Sequence, residues 1–343
     1  MKVTLKVIAE KAGVHISTVD KVIHNRPGVS DEVRANIQKI IKELDYRPNQ
    51  AGRVLQKINK RYKIAVLLLN VDARDYILDG IRREVEKSVF DIQAEYLFSG
   101  FLDIEKQCAY LQKVREEQYD GVILFPNYGQ RMEEEINLTV EAGIPVVTVN
   151  SDVKDSRRLC YVGQNGARGA HVAGRMMGLF LGGTGKIAVI TSTISSENCD
   201  YHVATRRSEF TRFLAEQYPD IRIARDVESF EDRNRTYSET KKLLREVPDL
   251  DGIYITCGCV DVVGKAVQET GRASELRLVS FETYPEVLHL LDQNIIDCTI
   301  GSDLTEQGSR SMQILMDHLV NGTNPESKFI YMDSHIMVRE SIL

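Results

Sequence analysis

The stretch TLKVIAEKAGVHISTVDKVIHNRPGVSDEVRANIQKIIKELDYRPNQAGRVL, residues 4–55, decides how this chain is read. Thr4 caps a short helix whose apolar residues Leu5, Ile8, Ala9 and Ala12 fall at helical spacing, and Gly13 breaks it. A second helix follows at once. Val14, Val19, Val22 and Ile23 turn inward, which leaves Ile16, Ser17, Asp20, Lys21 and His24 on the opposite face, and Pro27-Gly28 then turns the chain. Ser30 caps a longer helix with Asp31 and Glu32 in its first turn and Val33, Ile37, Ile40, Ile41 and Leu44 along one side. Two short helices joined at a glycine and buttressed by a third make a three-helix helix-turn-helix unit of DNA-binding type.

The charge distribution sets this head apart from the rest. Residues 1–61 hold 13 Lys+Arg against 6 Asp+Glu, net +7, leaving 31 against 44, net -13, in the remainder. A basic head suited to a polyanion is therefore followed by an acidic body. At 343 residues the chain exceeds one typical core and implies two or three folding units. No apolar run approaches the roughly eighteen residues of a membrane span. Lys6, Glu10 and Lys11 interrupt the N-terminus in a way no signal peptide tolerates, so the expected location is the cytoplasm and no membrane partner is expected. Six cysteines, at 108, 160, 199, 257, 259 and 298, show no C-x-x-C pair; they read as free thiols of a reducing compartment, and neither metal nor cofactor is expected.

Beyond Tyr62 apolar β-rich runs alternate with helical stretches. KIAVLLL, IQAEYLF, DGVILFP and IPVVTV read as buried parallel strands, separated by helical periodicity near 75–88, 103–117 and 131–142. KIAVIT, GIYIT, LRLVSF and IDCTI form a second set, with helices near 166–181, 201–217, 233–245 and 260–270. Two successive βα series imply two doubly wound α/β lobes, and ligands in such sheets bind outside the carboxyl ends of the strands.

The run AGVHISTVDKVIHNRPGVSDEVR followed by LDYRPNQAGRVLQ resembles the lactose-repressor (LacI-type) family, whose pattern is AGVS-x-x-TVSRVLN, then VS-x-x-TR, then L-x-Y-x-PN and a hinge ending in leucine. The resemblance is tight to about residue 56 and looser beyond. It implies a helix-turn-helix domain at 1–48, a hinge helix and linker at 49–61, and a periplasmic-binding-protein-like regulatory body at 62–343. It further implies lobe 1 at 62–165 and 302–327 and lobe 2 at 166–301 and 328–343, with crossings near Gly163–Gly166, Gly301–Asp303 and Ser327. DNA contacts are implied for Thr4, His15, Ile16, Ser17, Thr18, Asp20, Lys21, His24 and Asn25 in the head. In the hinge they are implied for Asn49, Arg53 and Leu55, the last as an apolar wedge in the minor groove. Implied partners are a pseudo-palindromic operator duplex, a small-molecule effector and further copies of this chain, as a homodimer or tetramer.

Strand ends nominate the cleft. Asn70, Asp75 and Tyr76 follow the first strand, Asn150 and Asp152 follow IPVVTV, and Asn165 lies at the first crossing. Arg206, four residues before Phe210, resembles the family's ligand-gripping arginine, and Gly258, Glu282, Ser302 and Asp303 end strands of the second set. Carboxylates, amides and an arginine grip neighbouring hydroxyls, which points to a sugar or polyol. The chain departs from the family in three places. Thr256-Cys257-Gly258-Cys259 stands where relatives carry Asn-Asp, Asp20-Lys21 replaces Ser-Arg, and His15 replaces a capping serine. Neither effector nor operator therefore transfers from relatives.

No enzyme motif survives inspection. GGTGKI at 182–187 lacks the phosphate-loop spacing, VGQNGARG fails the dinucleotide fingerprint, and neither GxSxG nor HExxH occurs. The expectation is a ligand-controlled transcription regulator, a repressor rather than an enzyme. A second reading, from another class, is a cytosolic sugar-binding or sugar-processing protein whose basic head docks a partner protein; sequence-specific, salt-sensitive DNA binding separates the two.

Overall fold

The structure, a computed structural model, describes residues 5–23, 27–44, 57, 60–194 and 201–342. It divides into two compact units, Met1–Asn59 and Lys60–Leu343.

The first unit contains α1 (Leu5–Ala12), α2 (Ile16–Ile23) and α3 (Asp31–Glu43). Ile8, Ala9, Val19, Val22, Ile37 and Ile40 bury together at its centre, one or two from each turn that faces inward. Gly13 (φ +67°) and Gly28 (φ +90°) take left-handed backbone at the two turns, where a side chain would be strained. The Ser30 hydroxyl accepts the Val33 N–H at 3.5 Å and opens α3.

The second unit holds two six-stranded sheets of matching order. The first is built from β1 (Arg61–Leu69), β2 (Asp91–Ser99), β3 (Gly121–Leu124), β4 (Val146–Val149), β5 (Cys160–Gly163) and β11 (Phe329–Tyr331). Its order is β11-β5-β4-β3-β1-β2, all parallel. The second uses β6 (Thr184–Thr191), β7 (Asp220–Glu228), β8 (Gly252–Ile255), β9 (Arg277–Phe281), β10 (Cys298–Gly301) and β12 (His335–Met337). Its order is β12-β10-β9-β8-β6-β7, with β12 alone antiparallel. The short central strands are buried along their whole length, as parallel strands covered on both faces must be.

Connecting helices cover the sheets: α4 (Arg74–Lys87), α5 (Ile104–Glu116), α6 (Gln130–Glu141), α7 (Gly166–Phe180), α8 (Tyr201–Gln217), α9 (Arg233–Glu246), α10 (Val260–Glu269), α11 (Pro285–Asp292) and α12 (Leu304–Asn321). The α12 helix returns to the first sheet, packing on α4, β3, β4 and β5. Gly80 and Gly308 let α4 and α12 approach backbone to backbone; a Cβ at either would collide with a carbonyl of the other helix.

The chain passes from one sheet to the other between β5 and α7 and again between β10 and α12. The third crossing does not lie near Ser327. Phe329–Tyr331 still pair with β5 and the Met332 N–H reaches the Gly163 carbonyl at 2.9 Å, so the chain changes sheets between Tyr331 and His335. The strands β5 and β7 were not legible as strands. The first is only four residues long, and the second is an edge strand whose exposed charges, Arg222 and Arg225 among them, break the apolar run.

Candidate functional site

On the head, His15 just before α2 and Ile16, Ser17 and Lys21 on it are exposed, with Thr18 and Asp20 half-buried at the helix margins. The helix begins on an unusual cap: the Ser17 N–H donates to His15 Nδ1 at 3.3 Å and the Ser17 hydroxyl meets the same nitrogen at 2.8 Å. The imidazole thereby does the work of the serine it replaces. Thr4, His24, Asn25, Asn49, Arg53 and Leu55 lie outside the described residues.

In the body, the carboxyl ends of β1, β3, β4, β6, β8 and β9 converge on one chamber. The first sheet contributes Leu69, Asp72, Phe125, Asn150 and Ser151, and the loop after β2 adds Phe101. From the second come Ser192, Glu231, Cys257, Gly258, Glu282 and Tyr284, with His202 and Arg206 reaching in from α8. The inner chamber is small, about 80 Å³. An outer one of about 560 Å³ shares Val71, Asp72, Glu231 and Tyr284 with it and is walled by Asn70, Arg74, Asp75, Tyr76, Arg233, Cys259, Asp261 and Glu286. Together they span a ligand-sized cleft.

Backbone geometry aims several of these groups. Asn150 (φ +62°) and Glu282 (φ +78°) occupy equivalent positions in the two sheets, each in left-handed backbone at a strand end. Each bonds its N–H to the neighbouring strand, Asn150 to the Val162 carbonyl and Glu282 to that of Ile300, both at 3.0 Å. Glu231 (φ +54°) and Cys259 (φ +61°) are likewise left-handed. Strain of this kind in non-glycine residues, gathered around one cavity, marks a site whose side-chain directions matter.

Arg206 is the hub. Its Nη1 donates to the Thr256 carbonyl at 2.9 Å, its Nη2 to Gln164 Oε1 at 2.8 Å, and its guanidinium stacks 3.9 Å from the centre of the Phe281 ring. Glu282 lies 3.5 Å away, a loose ion pair for two groups this buried. Arg206 Nε, Glu282 Oε2, Gln164 Nε2 and Ser192 Oγ are all buried without a hydrogen-bond partner. Burial pushes the Glu282 carboxyl above its usual range, Arg206 opposing it. Burial does the same to Asp72, against the pull of Arg233, whose Nη1 sits 3.5 Å from the Asp72 carboxylate and whose Nη2 binds Asp261. Arg233–Asp72 and the Tyr76–Tyr284 stack, 5.9 Å between ring centres, both join one lobe to the other.

The nominated residues divide accordingly. Asn150, Arg206, Gly258 and Glu282 line the inner chamber; Asn70, Asp75 and Tyr76 line the outer. Ser302 and Asp303 lie apart, beside Tyr76, Thr283 and His335; Asp303 caps α12 through the Glu306 N–H at 2.9 Å, and Ser302 takes a bond from Gln307 Nε2 at 2.7 Å. Asn165 caps α7, and its neighbour Gln164 is the residue that reaches Arg206. Asp152 does not reach the cleft: it is fully buried against Arg158, with Nη2 and Nε both 2.5 Å from its carboxylate and Thr148 Oγ1 donating at 2.8 Å. Asp72, Glu231, Arg233, Asp261 and Tyr284 were not anticipated, although Asp72 sits between two residues that were. Among the described residues no group of His, Cys, Asp and Glu could hold a metal ion, and no helix is long and apolar enough to cross a membrane.

The chain thus combines a helix-turn-helix head with a two-sheet α/β body that carries a polar cleft at its strand ends. Residues 50–323 match the periplasmic binding protein domain family and residues 4–49 match the bacterial regulatory proteins of the lacI family. The chain belongs to the periplasmic binding protein domain family and carries a head of the lacI family. HTH-type transcriptional regulator RegA of Clostridium saccharobutylicum is 31% identical over 160 residues, 45% of this chain and 46% of RegA. HTH-type transcriptional regulator MalR of Clostridium butyricum is 22% identical over 347 aligned residues, 98% of each chain. The structure of GanP, a glucose-galactose binding protein from Geobacillus stearothermophilus, shares the fold, with a TM-score of 0.74 at 22% identity over 83% of this chain and 99% of GanP. The chain spans about half the length of the first curated relatives it matches.

Proposed function

We propose that this protein is a sequence-specific DNA-binding transcription regulator, a repressor and not an enzyme, whose hold on a pseudo-palindromic operator is set by a small hydroxylated ligand in the cleft. The observation that carries the ligand half is the unused hydrogen-bonding capacity of Glu282, Arg206, Gln164 and Ser192, buried where two lobes meet. Buried polar atoms without partners are costly, and a hydroxylated ligand supplies the missing donors and acceptors. Relatives named as transcription regulators and a structural likeness to a glucose-galactose binding protein support the same reading.

The exposed face of α2, with His15, Ile16, Ser17, Thr18, Asp20 and Lys21, enters the major groove, and residues 49–61 act as a hinge between a head at 1–48 and a body at 62–343. Two copies of the chain, in the cytoplasm, present two heads to the two half-sites. Ligand that closes the lobes changes the spacing of the two hinges, and operator affinity follows.

A thermal-shift screen of the full-length protein over sugars and polyols tests this directly. A ligand at a hundred times its dissociation constant stabilises the protein by about 2.7 kcal/mol. The same ligand must change operator affinity. A binder that leaves operator affinity untouched breaks the reading.

A further inference from the structure

The inner chamber is lined by three carboxylates, Asp72, Glu231 and Glu282, against one guanidinium, Arg206. Arg206 gives its shorter bonds to the Thr256 carbonyl and to Gln164, leaving Glu282 at 3.5 Å with Oε2 buried and unpartnered. Glu282 is only 7% exposed. Arg233, whose Nη1 lies 3.5 Å from the Asp72 carboxylate, lines the outer chamber and is shared with Asp261. Glu231 is seated by the N–H of Gly258, which donates to its Oε1 at 3.4 Å. A Cβ there would meet the end of the Glu231 side chain and push its carboxylate aside. An acidic group is thus built into the chamber on both sides of the lobe boundary.

Hydroxyl groups can fill the empty hydrogen-bonding positions but leave the Glu282 charge opposed only by the 3.5 Å contact with Arg206, and a charge held away from water without a close partner is expensive. A carboxylated or phosphorylated ligand adds to that negative charge. A protonated amine removes it: it carries three donors and no acceptor, matching carboxylates that only accept, and the Tyr284 ring beside it suits a cation.

Resting on the assignment of the cleft as the effector site, we propose that the effector is a hydroxylated primary amine, an amino sugar or amino polyol, whose ammonium sits between Glu282, Asp72 and Glu231 while its hydroxyls meet Arg206 and Asn150. The ammonium closes the charge balance that the protein leaves open. Sugar acids and sugar phosphates are excluded by the same charge.

The test uses the full-length protein and matched probes: glucosamine, galactosamine and 1-amino-1-deoxysorbitol, each against its neutral hydroxyl or N-acetyl counterpart, and calcium or magnesium alone. Calorimetry is expected to show an amine binding roughly tenfold to a hundredfold more tightly than its neutral counterpart, the range of one charge-assisted hydrogen bond. Glu282→Gln and Asp72→Asn should each erase most of that preference, with the ligand-free melting transition confirming that both variants fold. A neutral sugar that binds as well as its amine, and loses binding in Arg206→Ala, keeps the cleft as the effector site and overturns the amine. Stabilisation by calcium or magnesium with no response to amines overturns it in favour of a cation site. Amine binding unchanged in all three variants, or no binding by any probe, overturns both the amine and the cleft assignment.

Discussion

Among the described residues of the body, two carboxylate–arginine pairs are buried at the ends of corresponding strands, and they are built differently. After β4, Asp152 is gripped by Arg158 at 2.5 Å from two nitrogens, with Thr148 completing the carboxylate and the Phe329 ring 5.1 Å from the guanidinium. After β9, Glu282 stands 3.5 Å from Arg206, and each keeps a buried atom with no partner. The first pair is in tight contact, although Arg158 Nε too lacks an aligned hydrogen bond, and neither of its residues lines the two chambers of the cleft; it holds the turn from β4 toward β5. The second is left open on the side that faces the chamber. A buried ion pair informs about function when it is both loose and exposed to a chamber, because only then can a ligand reach the hydrogen-bonding capacity that the pair leaves unused.

The sharpest way to break this contrast is to remove one partner from each pair. Asp152→Ala strands Arg158 in the interior, which has no water to replace the lost carboxylate; a loss of about 3–5 kcal/mol in urea unfolding is expected. Its effect is on stability, and any surviving folded protein should bind ligand with unchanged affinity in calorimetry. Arg206→Ala should act the other way round, weakening ligand binding by about 1.5–3 kcal/mol, or roughly tenfold to a hundredfold, with the smaller loss of stability. Interchanged results would mean that the open and closed pairs have been assigned to the wrong roles.

A smaller effect sharpens the comparison. Burial raises the Glu282 carboxyl above its usual range, so the folded protein holds that proton where the unfolded chain has released it. Stability contributed by the protonated form is therefore lost as pH climbs from the ordinary glutamate range through the raised value. Glu282→Gln removes that loss. Without ligand, the variant should be about 1 kcal/mol more stable than the natural protein at neutral pH, the low end of the cost of an unsatisfied buried group. The gain should shrink toward zero as pH falls below the ordinary glutamate range. Melting curves at several pH values check it, and a gain independent of pH would place its origin in packing instead.

The head was legible because its signals are local: helical spacing at Leu5, Ile8 and Ala9, a glycine at 13, a serine cap at 30. The central strands were equally plain as continuous apolar runs. What failed was whatever depended on distant partners. Phe329–Tyr331 and His335–Met337 are both three-residue strands on either side of a short loop, and only pairing with β5 or β10 tells which sheet each joins. Asp152 and Glu282 look alike as acids just past a strand, and the difference lies in whether an arginine closes on the carboxylate. Glu231 and Arg233 stand beyond the edge strand β7, whose mixed polar sequence hid the strand and the cleft residues after it. Position past a strand end nominates a cleft residue; whether it lines the chamber, and how closely an arginine holds it, selects it.

The central claim is that the cleft governs the head, and one titration decides it. Full-length protein would be titrated against a pseudo-palindromic duplex selected from a random pool, at one fixed salt concentration, with and without a saturating cleft ligand, in the natural protein and in Arg206→Ala. The account predicts that ligand shifts operator affinity by about 5- to 150-fold in the natural protein, in one consistent direction, and that the shift disappears in Arg206→Ala. Equal operator affinity with and without ligand in the natural protein would contradict it.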